Sequence, residues 1–256
     1  MGLKKELEER IKDVEAKSHF IPWYKRWWGR LVAFLVILLL LLFIYFIYLL
    51  FINYNNIKKG NIYHKELGAW ITSEQYKENQ KIVGEIMTED DPWLGASEPL
   101  IYVIGFESFS CPFCKENQED LKKMITKFGK IVRFIFKDFP TEGLHENVFK
   151  AHLAADCANE QGRFWEYHDI LFVNQGNFDE SNLRLLADNV GLNLKDFDSC
   201  LKSEKFSQEI RGDYAQGVQA GISGTPSYLI NGQLIPGAIN YETWEEIIAL
   251  IINQGL

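Results

Sequence analysis

Two cysteines, Cys111 and Cys114, stand in the run Cys111-Pro112-Phe113-Cys114. Thiols at this spacing suit reversible dithiol–disulfide chemistry when the first of them sits at a helix N-terminus. The flanks predict that placement. Residues 100–106 form an apolar, β-branched run that reads as a buried strand, and residues 115–125 have helical periodicity and strong helix formers. The first N–H groups of a helix have no intrahelical partner, and the helix dipole puts partial positive charge there. A thiolate at Cys111 is therefore expected to be stabilised, its pKa falling from ~8.5 toward or below neutrality. Pro112 fits the first helical turn, where its missing N–H costs nothing. Cys114 is expected to be more buried and to act as the resolving thiol. Lys115 either adds positive charge or points into solvent.

The competing use of such a pair is half of a structural zinc site, which needs four ligands, usually as two close pairs. Only Cys157 and Cys200 remain, 43 positions apart. His145, His152 and His168 are the other candidate ligands, but two of them fall on a helix that reads as amphipathic with a solvated face. The strand–CxxC–helix context favours redox chemistry, and no metal or cofactor is expected.

Residues 31–52 contain no charge, proline or glycine. At 1.5 Å per residue they reach about 33 Å, enough for a hydrocarbon core of ~30 Å. No small-residue cleavage site follows, so an uncleaved anchor is expected in place of a signal peptide. Residues 11–30 hold Lys12, Lys17, Lys25, Arg26 and Arg30, against Lys58, Lys59 and Lys65 in residues 53–72. This excess places the N-terminus in the cytoplasm and the long C-terminal part outside. Trp23, Tyr24, Trp27 and Trp28 form an interfacial aromatic belt. Leu3, Leu7, Ile11 and Val14 lie at helical spacing in residues 1–30, a cytoplasmic amphipathic segment. Gly2 is no myristoylation signal, because position 6 is Glu.

Residues 53–256 carry 19 Lys/Arg and 30 Asp/Glu, a balance that argues against binding nucleic acid or anionic lipid. Residues 53–90 read as a polar spacer, plausibly helical over 76–81, and Asp91-Pro92-Trp93-Leu94-Gly95 as a turn-rich entry to a domain at 91–256. Within it, a strand at 100–106, a helix at 112–128 and a strand at 131–136 precede a helical block at about 145–220. A hairpin of 226–230 turning on Asn231-Gly232 and an amphipathic helix from about 241 to 252 follow. The order βαβ, helical insert, ββα gives an α/β sheet with parallel and antiparallel neighbours. Phe164, Trp165, Tyr167 and Phe172 read as core of the insert.

Residues 91–256 resemble the DsbA-type thiol–disulfide oxidoreductases, which are thioredoxin-like folds with an inserted helical subdomain. The resemblance is carried by Phe109-Ser110-Cys111-Pro112-Phe113-Cys114, by residues 161–168 (Gln-Gly-Arg-Phe-Trp-Glu-Tyr-His) and by Gly221-Ile222-Ser223-Gly224-Thr225-Pro226. It implies that Pro226 is a cis-proline facing the cysteine pair, leaving the Thr225 backbone free to pair with an extended peptide. On the residues alone, an ordinary trans proline at a strand start remains open. Glu107 is either the acid that such folds place near the buried cysteine for proton transfer or a strand-end surface acid. Cys157 and Cys200 match positions where relatives often have cysteine. An oxidising compartment favours a structural disulfide between them over two buried free thiols.

The expectation is then a membrane-anchored dithiol oxidase that introduces disulfides into exported proteins and is recycled by a membrane redox partner. The Pro112-Phe113 pair lacks the histidine found in strongly oxidising relatives, so the direction of electron flow stays open. A reductase or isomerase using the same residues, or a tethered copper chaperone, are the alternatives. The chain has no Met- or His-rich segment to favour the last.

Overall fold

The computed structural model of the chain describes residues 2–17, 23–64, 69–71, 84, 86–88, 90–141 and 147–253. The chain divides into two compact units, 1–60 and 61–256. The helix expected at 76–81, His145 and the last three residues lie outside the described residues.

In the first unit, helix α1 spans Gly2–Lys17, with Leu3, Leu7, Ile11 and Val14 exposed. A short 3-10 turn at Trp23–Lys25 leads into α2, Trp27–Lys58. Among the described residues α2 is the one helix long and apolar enough to cross a membrane. Its 32 residues make it about 48 Å long, longer than the uncharged run because the helix continues through Asn53–Asn56. There Asn56 Nδ2 donates back to Ile52 O, and Lys58 in the last turn complements the helix dipole.

The second unit begins within the stretch read as spacer, where β1 (Ile62–His64) pairs antiparallel with β2 (Ala69–Ile71). The main sheet has the order β3-β5-β4-β6-β7. These are Trp93–Gly95, Val132–Asp138, Ile101–Glu107, Ser227–Ile230 and Gln233–Pro236 respectively. β4 and β5 run parallel, joined by helix α3, Pro112–Phe128; the other pairs are antiparallel. The turn-rich entry expected at 91–95 therefore holds an edge strand. Gly95 (φ +102°) lies so close to β5 that an added Cβ would sit 2.2 Å from Val132 O. Asn231 and Gly232 both have positive φ, as a two-residue hairpin turn requires.

Every residue of β4 is buried, which is why that strand reads as a continuous apolar run instead of an alternating one. One face packs against α3, the insert and the closing helix α9 (Tyr241–Asn253). Trp244 is fully buried there, edge-on to Tyr228. The other face, with Tyr102, Ile104, Phe106, Ile135 and Phe139, receives α8 (Ser207–Gln219), whose Gly217 meets the rings of Phe139 and Phe106.

The insert consists of α4 (Val148–Asn159), α5 (Phe164–Val173), α6 (Glu180–Asn189), α7 (Leu194–Ser203) and α8. Phe164, Tyr167 and Phe172 are core. A disulfide joins Cys157 on α4 to Cys200 on α7, with an S–S distance of 2.01 Å. The solvated face expected for His152 and His168 is absent. Both are buried, because α4 is enclosed along nearly its whole length and α5 turns His168 into the aromatic cluster of Phe109, Phe136 and Phe172.

Candidate active site

Strand β4 ends at Glu107, and the three residues after it turn the chain into α3. Cys111 is the N-cap of that helix, in extended backbone conformation, and its N–H donates to Ser108 O. Its Sγ accepts the backbone N–H of Cys114 at 3.3 Å and lies 3.1 Å from Thr225 O, within reach of a hydrogen donated by the thiol. The Thr225–Pro226 peptide is cis. Both thiols are free, and Cys114 is fully buried. Between them Phe113 is 61% exposed. The resulting rim combines a buried sulfur, the Thr225 carbonyl facing it and an exposed aromatic ring.

The two thiols are driven apart. A hydrogen bond from the Cys114 side chain is the largest influence on Cys111. Burial opposes it, and the Thr225 side chain with the N–H groups of Cys114 and Phe113 reinforces it. The Cys111 pKa is pulled down to about 6. Burial first, then the hydrogen bond to Cys111 and the nearby Glu107 carboxyl, push the Cys114 thiol far up. Lys115 contributes little to this separation, since its Nζ turns away to Val173 O at 3.4 Å.

Glu107 is completely buried, not a surface acid. Its Oε2 accepts from Gln118 Nε2 at 2.7 Å, and the same nitrogen reaches Cys114 O at 3.2 Å. Its Oε1 has no hydrogen-bond partner among the described residues. Burial raises the Glu107 pKa to about 8, against the lowering effect of Gln118. A carboxylic acid that keeps its proton at neutral pH thus lies beside the thiol that least readily loses one. Asn117, next on α3, accepts from Tyr228 Oη at 2.9 Å and from Ile239 N at 3.1 Å, and donates to Ile239 O. These bonds fix the helix against β6 and the start of α9.

Residues 87–249 match the family model described as Thioredoxin. The chain belongs to the thioredoxin family. Among solved structures, it is similar to the thiol-disulfide exchange protein alpha-DsbA2 from Wolbachia pipientis. Identity there is 22% and the TM-score 0.60, covering 71% of this chain and 96% of that one. Oxidised BdbD from Bacillus subtilis gives 24% and 0.57, covering 64% and 94%. Among curated proteins, "Na(+)/H(+) antiporter NhaA 1" of Salinispora arenicola is 30% identical over 148 residues, 58% of this chain. The chain spans only 22% of that relative's length, so the similarity concerns a part of it.

Within this thioredoxin-family domain the structure brings together Cys111, Cys114, Pro112, Phe113, Thr225, Pro226 and Glu107, whereas the Cys157–Cys200 bond lies in the insert. Several polar neighbours escape a reading of the sequence. Gln118 carries a usable signal, being four residues after Cys114 and so on the same helix face. Ser108, Ser110 and Thr141 carry none. The hydroxyls of Ser108 and Ser110 bond each other at 3.0 Å, and both reach Thr141, at 3.0 and 2.9 Å, more than thirty residues on.

Proposed function

We propose that this protein is a membrane-anchored thiol–disulfide oxidoreductase that works outside the cytoplasm and oxidises dithiols of exported proteins. The observation that carries the reading is the opposed state of the two thiols, one held near pKa 6 and the other kept protonated.

In the oxidised enzyme Cys111 and Cys114 share a disulfide. A substrate thiolate attacks Cys111 Sγ, forming a mixed disulfide and breaking the Cys111–Cys114 bond. Cys114 leaves and takes a proton, for which the buried Glu107, whose carboxyl acts on the Cys114 thiol, is the proposed donor. A second substrate thiolate attacks the substrate sulfur of the mixed disulfide, and Cys111 leaves as a stabilised thiolate. Two electrons have then passed from the substrate dithiol to the enzyme, which a membrane redox partner must remove. The Thr225 backbone, beside the Cys111 sulfur, suits an extended peptide that pairs with it once the cysteines are joined, and α2, with its basic N-terminal flank, supports anchoring with the domain outside.

A lower nucleophile pKa stabilises the reduced enzyme and makes the couple more oxidising. The reduction potential, measured by equilibration with glutathione, is expected to be clearly more positive than that of thioredoxin, ~−270 mV, and toward the ~−180 to −120 mV of protein oxidants. A value near −270 mV would replace the oxidase with a reductase using the same residues.

A further inference from the structure

Phe109, two residues before the nucleophile, is held by the inserted helices on both sides of its peptide unit. Gln175, in the turn after α5, donates from Nε2 to Phe109 O at 2.8 Å and to Cys111 O at 2.9 Å. Phe109 N donates to His152 Nε2 at 3.4 Å, and His152 Nδ1 in turn bonds the carboxylate of Asp138. The Phe109 ring lies 4.7 Å from the His152 ring and 5.2 Å from Phe172. The Gln175 amide suits the task, because its NH₂ carries two hydrogens and so serves two carbonyls at once. A glutamate of the same size carries none.

We propose that Gln175 is a positioning residue for Cys111. By binding the carbonyls of Phe109 and Cys111 it fixes the turn that delivers the sulfur to the N-terminus of α3. The insert thereby helps set how much of Cys111 is thiolate. Without the amide, these carbonyls lose a donor and the turn can rotate the sulfur away from the Cys114 N–H. A carboxylate at 175 would instead repel both carbonyl oxygens. The inference rests on Cys111 being the nucleophile, and it extends the site into a part of the chain 64 residues away.

The test follows alkylation of Cys111 by iodoacetamide against pH in the full chain in detergent micelles, read by mass spectrometry. Gln175→Glu is expected to raise the midpoint by about one unit, which is tenfold less thiolate at a pH below both midpoints. Gln175→Ala is expected to raise it by about half as much and decides the matter if the glutamate variant does not fold. A merely structural role would lower the thermal midpoint and leave the titration unmoved. Titrations of both variants that overlay the parent overturn the proposal. A parent chain inactive in thiol–disulfide exchange would remove the functional reading while leaving this titration to decide the role of Gln175.

Discussion

Two buried ionisable groups stand at the ends of adjacent parallel strands, and they are treated in opposite ways. Lys137, near the end of β5, is fully buried, with its Nζ 2.8 Å from Asp91 and 2.7 Å from Asp213. Burial works against its charge, yet Asp213 and Asp91 outweigh it and hold the Lys137 pKa above its ordinary value. Glu107, at the end of β4, faces Asp138 in register and takes the Gln118 amide, but among the described residues one of its oxygens is orphaned and no cation is paired with it. Lys137 keeps its charge because two carboxylates answer it, although burial and the crowding of carboxylates push Asp213 itself up to about 7; Glu107, with no such partner, gives its charge up. The first centre is therefore structural. The second keeps a proton near neutrality, as a proton donor beside a buried thiol needs.

Three experiments can break this contrast. The largest effect is expected from Lys137→Met, which strands Asp91 and Asp213 without their cation and should cost about 3–5 kcal/mol. Denaturant titration measures it, and exchange activity per folded molecule should survive; a loss under about 1 kcal/mol would erase the distinction. Glu107→Gln comes next. It keeps the shape and removes the titrating proton, so oxidation of a dithiol substrate should slow by about a hundredfold, the low end for a positioned acid or base, while Cys111 alkylation stays unchanged. The third effect is on stability, and it is of the same order as the first. Glu107 has a folded-state pKa of about 8 against 4.5 unfolded, so its favourable contribution is complete below pH 4.5 and is lost as pH rises toward 8. Glu107→Gln should flatten the pH dependence across that window and leave the variant more stable than the parent at pH 8. A variant with the parent's slope would show that Glu107 ionises as freely as a surface acid.

What could be read from the sequence was encoded locally. Cys111 and Cys114 sit between a seven-residue buried strand and a strong helix, and Asn231-Gly232 selects its own turn, so both were legible from neighbours in the chain. Trp93–Gly95 was not, because the three residues after Pro92 carry no period. They are a strand only because β5 offers a free edge, with Phe136 N donating to Pro92 O and Ala96 N to Val132 O. The burial of Glu107 was left open, between a proton-transfer acid and a surface acid. A glutamate ending a strand fits either until α3 and Tyr228 close over it. His168 misled because it sits on the buried face of α5, and His152 because α4 is enclosed along nearly its whole length. Periodicity assigns a helix one apolar face, and a helix enclosed all round has no polar face to reveal. Gln175 reaches Cys111 across the fold, and no local pattern announces such a bond.

The account stands on the separation of the two thiols, and the pH dependence of alkylation in the reduced, full-length chain measures it directly. Cys111 should react with a midpoint near pH 6, while Cys114 stays unmodified until the protein unfolds. A Cys111 midpoint near the ~8.5 of an ordinary cysteine, or modification of Cys114 first, would contradict it.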